Sequence, residues 1–253
     1  MDFILEEENL GVEVIKAIKI ADVPSLKRLL ADHPNLATAR IISRGYHDEN
    51  SDTFGVSRTL LHVATDWPGH FPDGAATVRT LIEAGAEVDA RFTGHHTETP
   101  LHWAASSNDV EVLEALLDAG ADINATGAVI AGGTPLDDAV AFGQWNAARR
   151  LVEAGAQTKL WNTAALGMMD ELKAYFEVDR LPSAFEITQA FWLACHGGQL
   201  STAKYLLDCG ADINWIGYDG FTPLDAAVRR GNSDNKLVEW LRYKGAHSAV
   251  EMA

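Results

Sequence analysis

Apolar residues recur along most of this chain at helical spacing, in short blocks broken at regular intervals. VEVLEALL, from Val110, carries a leucine-rich stripe on one helical face. TPLHWAAS, from Thr99, precedes it and reads as a shorter helix with an alanine pair at its centre. The two blocks predict a helix pair, closed by Gly120 where a left-handed residue is needed. TPLDDAVAFGQWNAARRLVEAG repeats the pattern from Thr134, and Gly155 closes it at the same offset. Further copies start at Thr59 (TLLHVATDW, ending at Gly85) and Thr222 (TPLDAAVRRGN, ending at Gly245). Two weaker ones are QAFWLACHGGQLSTAKYLLDCG from Gln189 and TKLWNTAALGMMDELKAYF, which follows Gln157 with no loop before it. Residues 11–36 read as one more helix pair, of capping type.

Physical chemistry supports these elements. Thr before Pro offers a capping hydroxyl and a first helical residue with pre-set φ. Asp137 and Asp225 stand three residues after Thr134 and Thr222, where a carboxylate can reach back as a shortened capping box. No single pair can bury its apolar face alone, so neighbours must stack.

The T-P-L-H-x-A motif, a period of about 33 residues and the ending G-A-D-I/V-N resemble the ankyrin repeat. The resemblance covers residues 59–247. It implies an all-α ankyrin-repeat solenoid of about six to seven stacked helix pairs with finger-like turns. The expected organisation is one ankyrin domain over residues 1–253, with an N-terminal helix pair and long loop (1–58) before the repeats (59–247). It also implies that His62 and His102 are structural, each linking its repeat to the next by hydrogen bonds. Trp161 and Trp192 fill that slot in the weak copies and suggest packing there instead.

Departures from the pattern are where specificity is expected. Residues 40–58 form a long loop, and WPGHFPDG lengthens one inter-helix turn. The connections ARFTGHHTE and ATGAVIAGG are each two residues longer than WIGYDGF. Connections of this length are uncommon unless functional or mobile. The 40–58 loop and WPGHFPDG are expected to pack over the inner face, since Tyr46, Phe54, Trp67 and Phe71 would otherwise sit in water.

The two residues after each alanine pair face the inner groove in the resembling family. Here they are Asp66/Trp67, Ser106/Ser107, Ala141/Phe142, Ala165/Leu166, His196/Gly197 and Arg229/Arg230. The small residues in mid-row either leave room for a ligand or tighten the stacking. Trp103, Trp145 and Trp240 read as core, whereas Trp215 stands at the root of a finger.

Composition removes several functions. With 20 basic and 36 acidic residues the formal charge is -16, so phosphate backbones are repelled and no nucleic-acid partner is expected. No stretch reads as a signal peptide or a membrane span. Cys195 and Cys209 make no disulfide framework. These features point to a cytoplasmic protein without a membrane partner. GAVIAGGT (127–134) mimics a phosphate loop, but Gly133 occupies the lysine position and no strand precedes it. No cofactor and no metal is expected; the adjacent pair His95 and His96 diverges on a turn.

Two functions fit. The first is a non-catalytic module that binds a protein or peptide in its concave face. The binding residues would be Tyr46, Trp67, His95, His96, Ser107, Phe142, Trp215, Tyr218 and Arg229. The second is a small-molecule enzyme, an acid–base lyase, isomerase or cyclase. Its pocket would run from Trp67 past Ser107 and Phe142 to His196, with His196 and Asp66 as the acid–base groups.

Overall fold

The computed structural model describes residues 2–42, 56–178, 180–229 and 236–253. It divides into two compact units, residues 1–156 and 157–253.

The first unit opens with strand β1 (Phe3–Leu5), helices α1 (Asn9–Lys19) and α2 (Val23–Asp32), and strands β2 (Arg40–Ile42) and β3 (Ser57–Thr59). Three helix pairs follow: α3 (Leu60–Thr65) with α4 (Gly74–Glu83), α5 (Pro100–Ser106) with α6 (Val110–Asp118), and α7 (Pro135–Ala141) with α8 (Trp145–Glu153). Inner helices α1, α3, α5 and α7 pack in sequence, and outer helices α2, α4, α6 and α8 do the same. Leu60, Leu61, Leu101, Leu113, Leu116 and Leu136 are fully buried between them.

The second unit contains α9 (Leu160–Leu166) with α10 (Met169–Ala174), α11 (Ala184–His196) with α12 (Leu200–Asp208), α13 (Pro223–Arg229) with α14 (Lys236–Tyr243), and a final turn, α15 (Ala249–Met252). Its core centres on Phe191, which packs with Leu172, Leu206, Leu224 and Leu241. A side chain at Gly197 would place its Cβ 2.0 Å from the Ala165 carbonyl oxygen. Glycine there lets α11 lie directly against α9. At this position the small residue tightens the stacking and leaves no room for a ligand.

The expected capping boxes are present. Asp137 Oδ2 accepts from the Thr134 amide at 2.9 Å, and the Thr134 hydroxyl accepts from the Asp137 amide at 3.4 Å. Thr222 and Asp225 do the same at 3.0 and 3.3 Å. The ninth helix corrects the register read from sequence. Its cap is Lys159, whose amide donates to Asn162 Oδ1 at 2.7 Å. Asn162, not Trp161, therefore occupies the histidine slot of that repeat, and Leu166 and Gly167 follow its alanine pair.

A small sheet was not expected. β2 pairs parallel with β1 and antiparallel with β3, so the 40–58 segment starts and ends as strand. Residues 43–55, with Tyr46 and Phe54, lie outside the described residues. Buried Arg40 ties the sheet to the first finger. Its guanidinium donates to Ser57 Oγ, Ser57 O, Arg91 O and Thr93 Oγ1.

Candidate functional site

The bolts between repeats come first, because they set the geometry of the fingers. His62 Nδ1 accepts from the Thr59 amide at 3.3 Å, which places the proton on Nε2. That nitrogen donates to Glu98 O at 3.1 Å, in the next repeat. His102 repeats this with the Thr99 amide at 3.1 Å and Gly133 O at 3.3 Å. Burial pushes His62 down to about 3 and His102 down to about 4, so both are neutral links. Trp192 makes the corresponding link in the second unit: its indole Nε1–H donates to Phe221 O at 2.9 Å. The sequence suggested packing at Trp192; the indole packs and also keeps the bond between repeats.

Glu98, at the base of the first finger, gathers several elements. Its Oε2 accepts from Trp103 Nε1 at 2.7 Å and lies 2.9 Å from His96 Nδ1. Its Oε1 accepts from the Val129 amide at 3.1 Å. That amide belongs to the glycine-rich loop resembling a phosphate loop, so a carboxylate already takes what an anion would need. Asp138 has no surface exposure. Burial and the facing Glu98 carboxylate raise its carboxyl well above the usual range, and the Ile130 amide only partly offsets this. Trp103, expected in the core, is only partly buried and sits edge-on to His62 at 4.9 Å.

The inner-face residues of the first unit do not form one open surface. Trp67 is 80% exposed, contrary to the expectation that its loop would shelter it, and Phe142 is 51% exposed. Ser107 is buried: the WPGHFPDG turn lies over it, with a Gly69 Cβ position 2.8 Å from Ser107 Cβ. The turn is fastened there by His70, whose amide donates to Asp109 Oδ2 at 2.6 Å and whose Nε2 meets Ser107 O at 3.1 Å. Asp66 is held by Arg58 at 2.8 Å, and Arg58 also reaches Glu6 at 3.1 Å. His95 is exposed at the finger tip, whereas His96 turns in and stacks on Phe92 at 4.5 Å.

The second unit brings its candidate residues together. Five rings form a continuous ladder. Phe185 meets Trp215 at 5.9 Å, Trp215 meets Tyr218 at 5.8 Å, and Tyr218 meets Trp192 at 5.1 Å, all edge-to-face. Trp192 then stacks on His196 at 5.4 Å. Gln189 Nε2 donates to the Tyr218 hydroxyl at 2.9 Å and fixes that ring. Burial raises the Tyr218 phenol, which Gln189 partly offsets. Phe185 is 57% exposed, Ile216 51% and Tyr218 40%, so the ladder presents ring surface to solvent. Arg229 lies 4.7 Å from the Phe221 ring and 3.6 Å from Asp219. Trp215, Tyr218, His196 and Arg229 were legible in the sequence. Phe185 was not, although its place inside the Ser183–Glu186 capping box fixes it on the first turn of α11.

Capped helix pairs, positive-φ glycines closing α4, α6, α8, α12 and α14, and hydrogen-bonded fingers define a helical repeat protein. The family is equally plain: the model for ankyrin repeats (3 copies) matches residues 15–127, 74–162 and 163–251, and the chain belongs to the ankyrin-repeat family. Ankyrin repeats are in general protein–protein interaction modules. One curated relative is the Caenorhabditis elegans protein "Ankyrin repeat and KH domain-containing protein mask-1", 49% identical over 43 residues. That match takes in 17% of this chain and 2% of the relative. Among solved structures, the human ASB11 ankyrin repeat domain superposes with a TM-score of 0.52 at 19% identity. It covers 92% of this chain and 98% of that one, a likeness of fold. Among the described residues no helix is long and apolar enough to cross a membrane, and no group of His, Cys, Asp and Glu is arranged to hold a metal ion.

Proposed function

We propose that the chain is a non-catalytic binding module whose second unit grips a peptide segment of a protein partner on the aromatic ladder. The ladder itself carries this reading. Phe185, Trp215 and Tyr218 are rigid, braced against one another and partly in water, and Arg229 stands beside Phe221. Aromatic rings and arginine dominate the energetics of protein interfaces because they bury much surface with few rotors to freeze. Tyr218 is already fixed by Gln189, so little ordering cost remains for binding. His196 serves here as the end of the ladder, stacked on Trp192. His95 and Trp67 extend the contact surface of the first unit at exposed positions.

The test is a peptide-display selection against the whole protein, followed by affinities for variants. Tyr218→Ala and Phe185→Ala should each weaken the selected peptides at least about tenfold, the range of an interface hot spot. Tyr243→Ala, an 86% exposed ring on the last helix pair, should leave them unchanged. Peptides indifferent to Tyr218 and Phe185 but lost on Trp67→Ala would move the site to the first unit and end this reading.

A further inference from the structure

A cavity of about 360 Å³ opens beside the start of α11, and none of the ladder rings lines it. It is lined by Thr158, Lys159, Leu160 and Trp161 from the start of α9, by Tyr175 after α10, and by Arg180, Leu181, Pro182 and Glu186 around the start of α11. Both sides are held in place. The Tyr175 hydroxyl donates to Thr158 O at 2.8 Å, and the Ser183 amide and hydroxyl donate to Glu186 Oε2 at 2.8 and 2.7 Å. The wall is apolar and aromatic, while two cations stand at it in a chain whose net charge is -16. Lys159 Nζ lies 5.0 Å from the centroid of the Trp161 ring. The one carboxylate of the lining, Glu186, already accepts the two Ser183 bonds and feels Arg180, and all of these hold it below its usual range.

From this geometry we infer that the cavity is a small-molecule site for an organic anion with a flat apolar body, such as an aromatic carboxylate or sulfonate. The volume falls in the lower part of the range for ligand pockets. An aromatic body would lie against Trp161, Leu181 and Pro182. The anionic group would sit between Lys159 and Arg180, where a neutral or cationic group gains nothing. Leu181 is 61% exposed and would lose that exposure beneath the ligand. The site differs from the ladder in residues and in ligand, although both share the first turn of α11.

Calorimetric titration of the whole protein with naphthalene-2-sulfonate tests the inference. Saturable binding at a one-to-one ratio is expected. Naphthalene-2-sulfonamide, the neutral counterpart, should bind at least about tenfold more weakly, as should the sulfonate to Lys159→Gln or Arg180→Gln; tenfold corresponds to about 1.4 kcal/mol. Phe185→Ser should leave sulfonate binding intact, which keeps this result separate from failure of the ladder. Arg180 is exposed and Lys159 half-buried, and an unchanged helical circular-dichroism spectrum shows that both variants fold. Equal affinity for the sulfonate and the sulfonamide would overturn the inference. So would binding lost with Phe185→Ser but kept in both charge variants, or no saturable binding up to about 1 mM, a weak small-molecule affinity.

Discussion

The same joint is built twice in this molecule with different chemistry. In the first unit a neutral imidazole crosses from one repeat to the next, through His62 to Glu98 O and His102 to Gly133 O. In the second an indole does so, through Trp192 to Phe221 O. Each donates one N–H to the carbonyl just before the next repeat's capping threonine. The imidazole has a second nitrogen, which takes the amide of its own capping threonine. The indole has no acceptor, and its larger ring instead faces Tyr218 and His196. The first joint is therefore compact and can titrate. The second cannot titrate, and it props up the aromatic surface assigned above to binding.

The largest effect should come from cutting an imidazole joint. His62→Leu leaves the Thr59 amide and removes one donor to Glu98 O in a fully buried place. It should cost the first unit roughly 3 kcal/mol, measured as a lower urea midpoint. Loss confined to the second unit would contradict the assignment. Next in size is acid. His62 and His102 are held below the usual histidine value of 6.5, so their stabilisation is present above about 6.5 and is lost as pH falls towards 4 and 3. Asp138 works in the opposite sense. Burial and the facing Glu98 carboxylate raise its carboxyl, so the stability tied to it is present below about 4 and is progressively lost as pH rises above that. Two histidines against one carboxyl leave a net loss of about 1 kcal/mol in the first unit between pH 6.5 and 5. Amide hydrogen exchange should show α3 and α5 loosening before α11 over that interval. Uniform loosening of both units would erase the contrast.

Asp138→Asn sharpens the same contrast, since an amide needs no proton to face Glu98. It should raise the melting temperature of the first unit at pH 8, by about 2–4 °C for each kcal/mol recovered, and bring no gain at pH 4. A gain of the same size at both pH values would point to packing and away from ionisation. Smallest should be Trp192→Phe, which keeps a ring but removes the donor to Phe221 O. About 1 kcal/mol from the second unit, with no pH dependence between 5 and 8, is the expected result in urea unfolding.

The fold was legible where its causes are local. A threonine and an aspartate three residues apart announce a capped helix, and glycine announces its end, because both effects act within one turn. The histidine joints were legible only through resemblance to a family, since their acceptors lie 36 and 31 residues away. What was missed is long-range or a matter of register. Lys159 and Asn162 cap α9 one residue later than the weak TKLW motif suggests. The sheet β1–β2–β3 pairs Phe3–Leu5 with Arg40–Ile42, and no run of alternating residues advertises it. Ser107 reads as an inner-face residue until the Gly69 turn is seen lying on it. In the site, single residues such as Trp215 and Tyr218 could be nominated by their departure from the repeat. Their assembly into one ladder depends on Gln189 and Trp192, which lie 29 residues from Tyr218 and Phe221.

Arrays of similar units ordinarily grow and shrink in evolution by duplicating or deleting one copy, because each copy meets its neighbours in the same way. Glu98 breaks that interchangeability. Its side chain is shared by Trp103 of its own repeat and Val129 of the next finger, and it faces Asp138 in α7. Its carbonyl receives His62 from the repeat before. Removing the repeat that starts at Thr99 by unequal exchange would bring together neighbours that lack these partners. Glu98 would then be joined to Thr134 with its Trp103 and Val129 donors gone. The first unit can therefore vary at its finger tips, while the number and order of its repeats are fixed by one carboxylate.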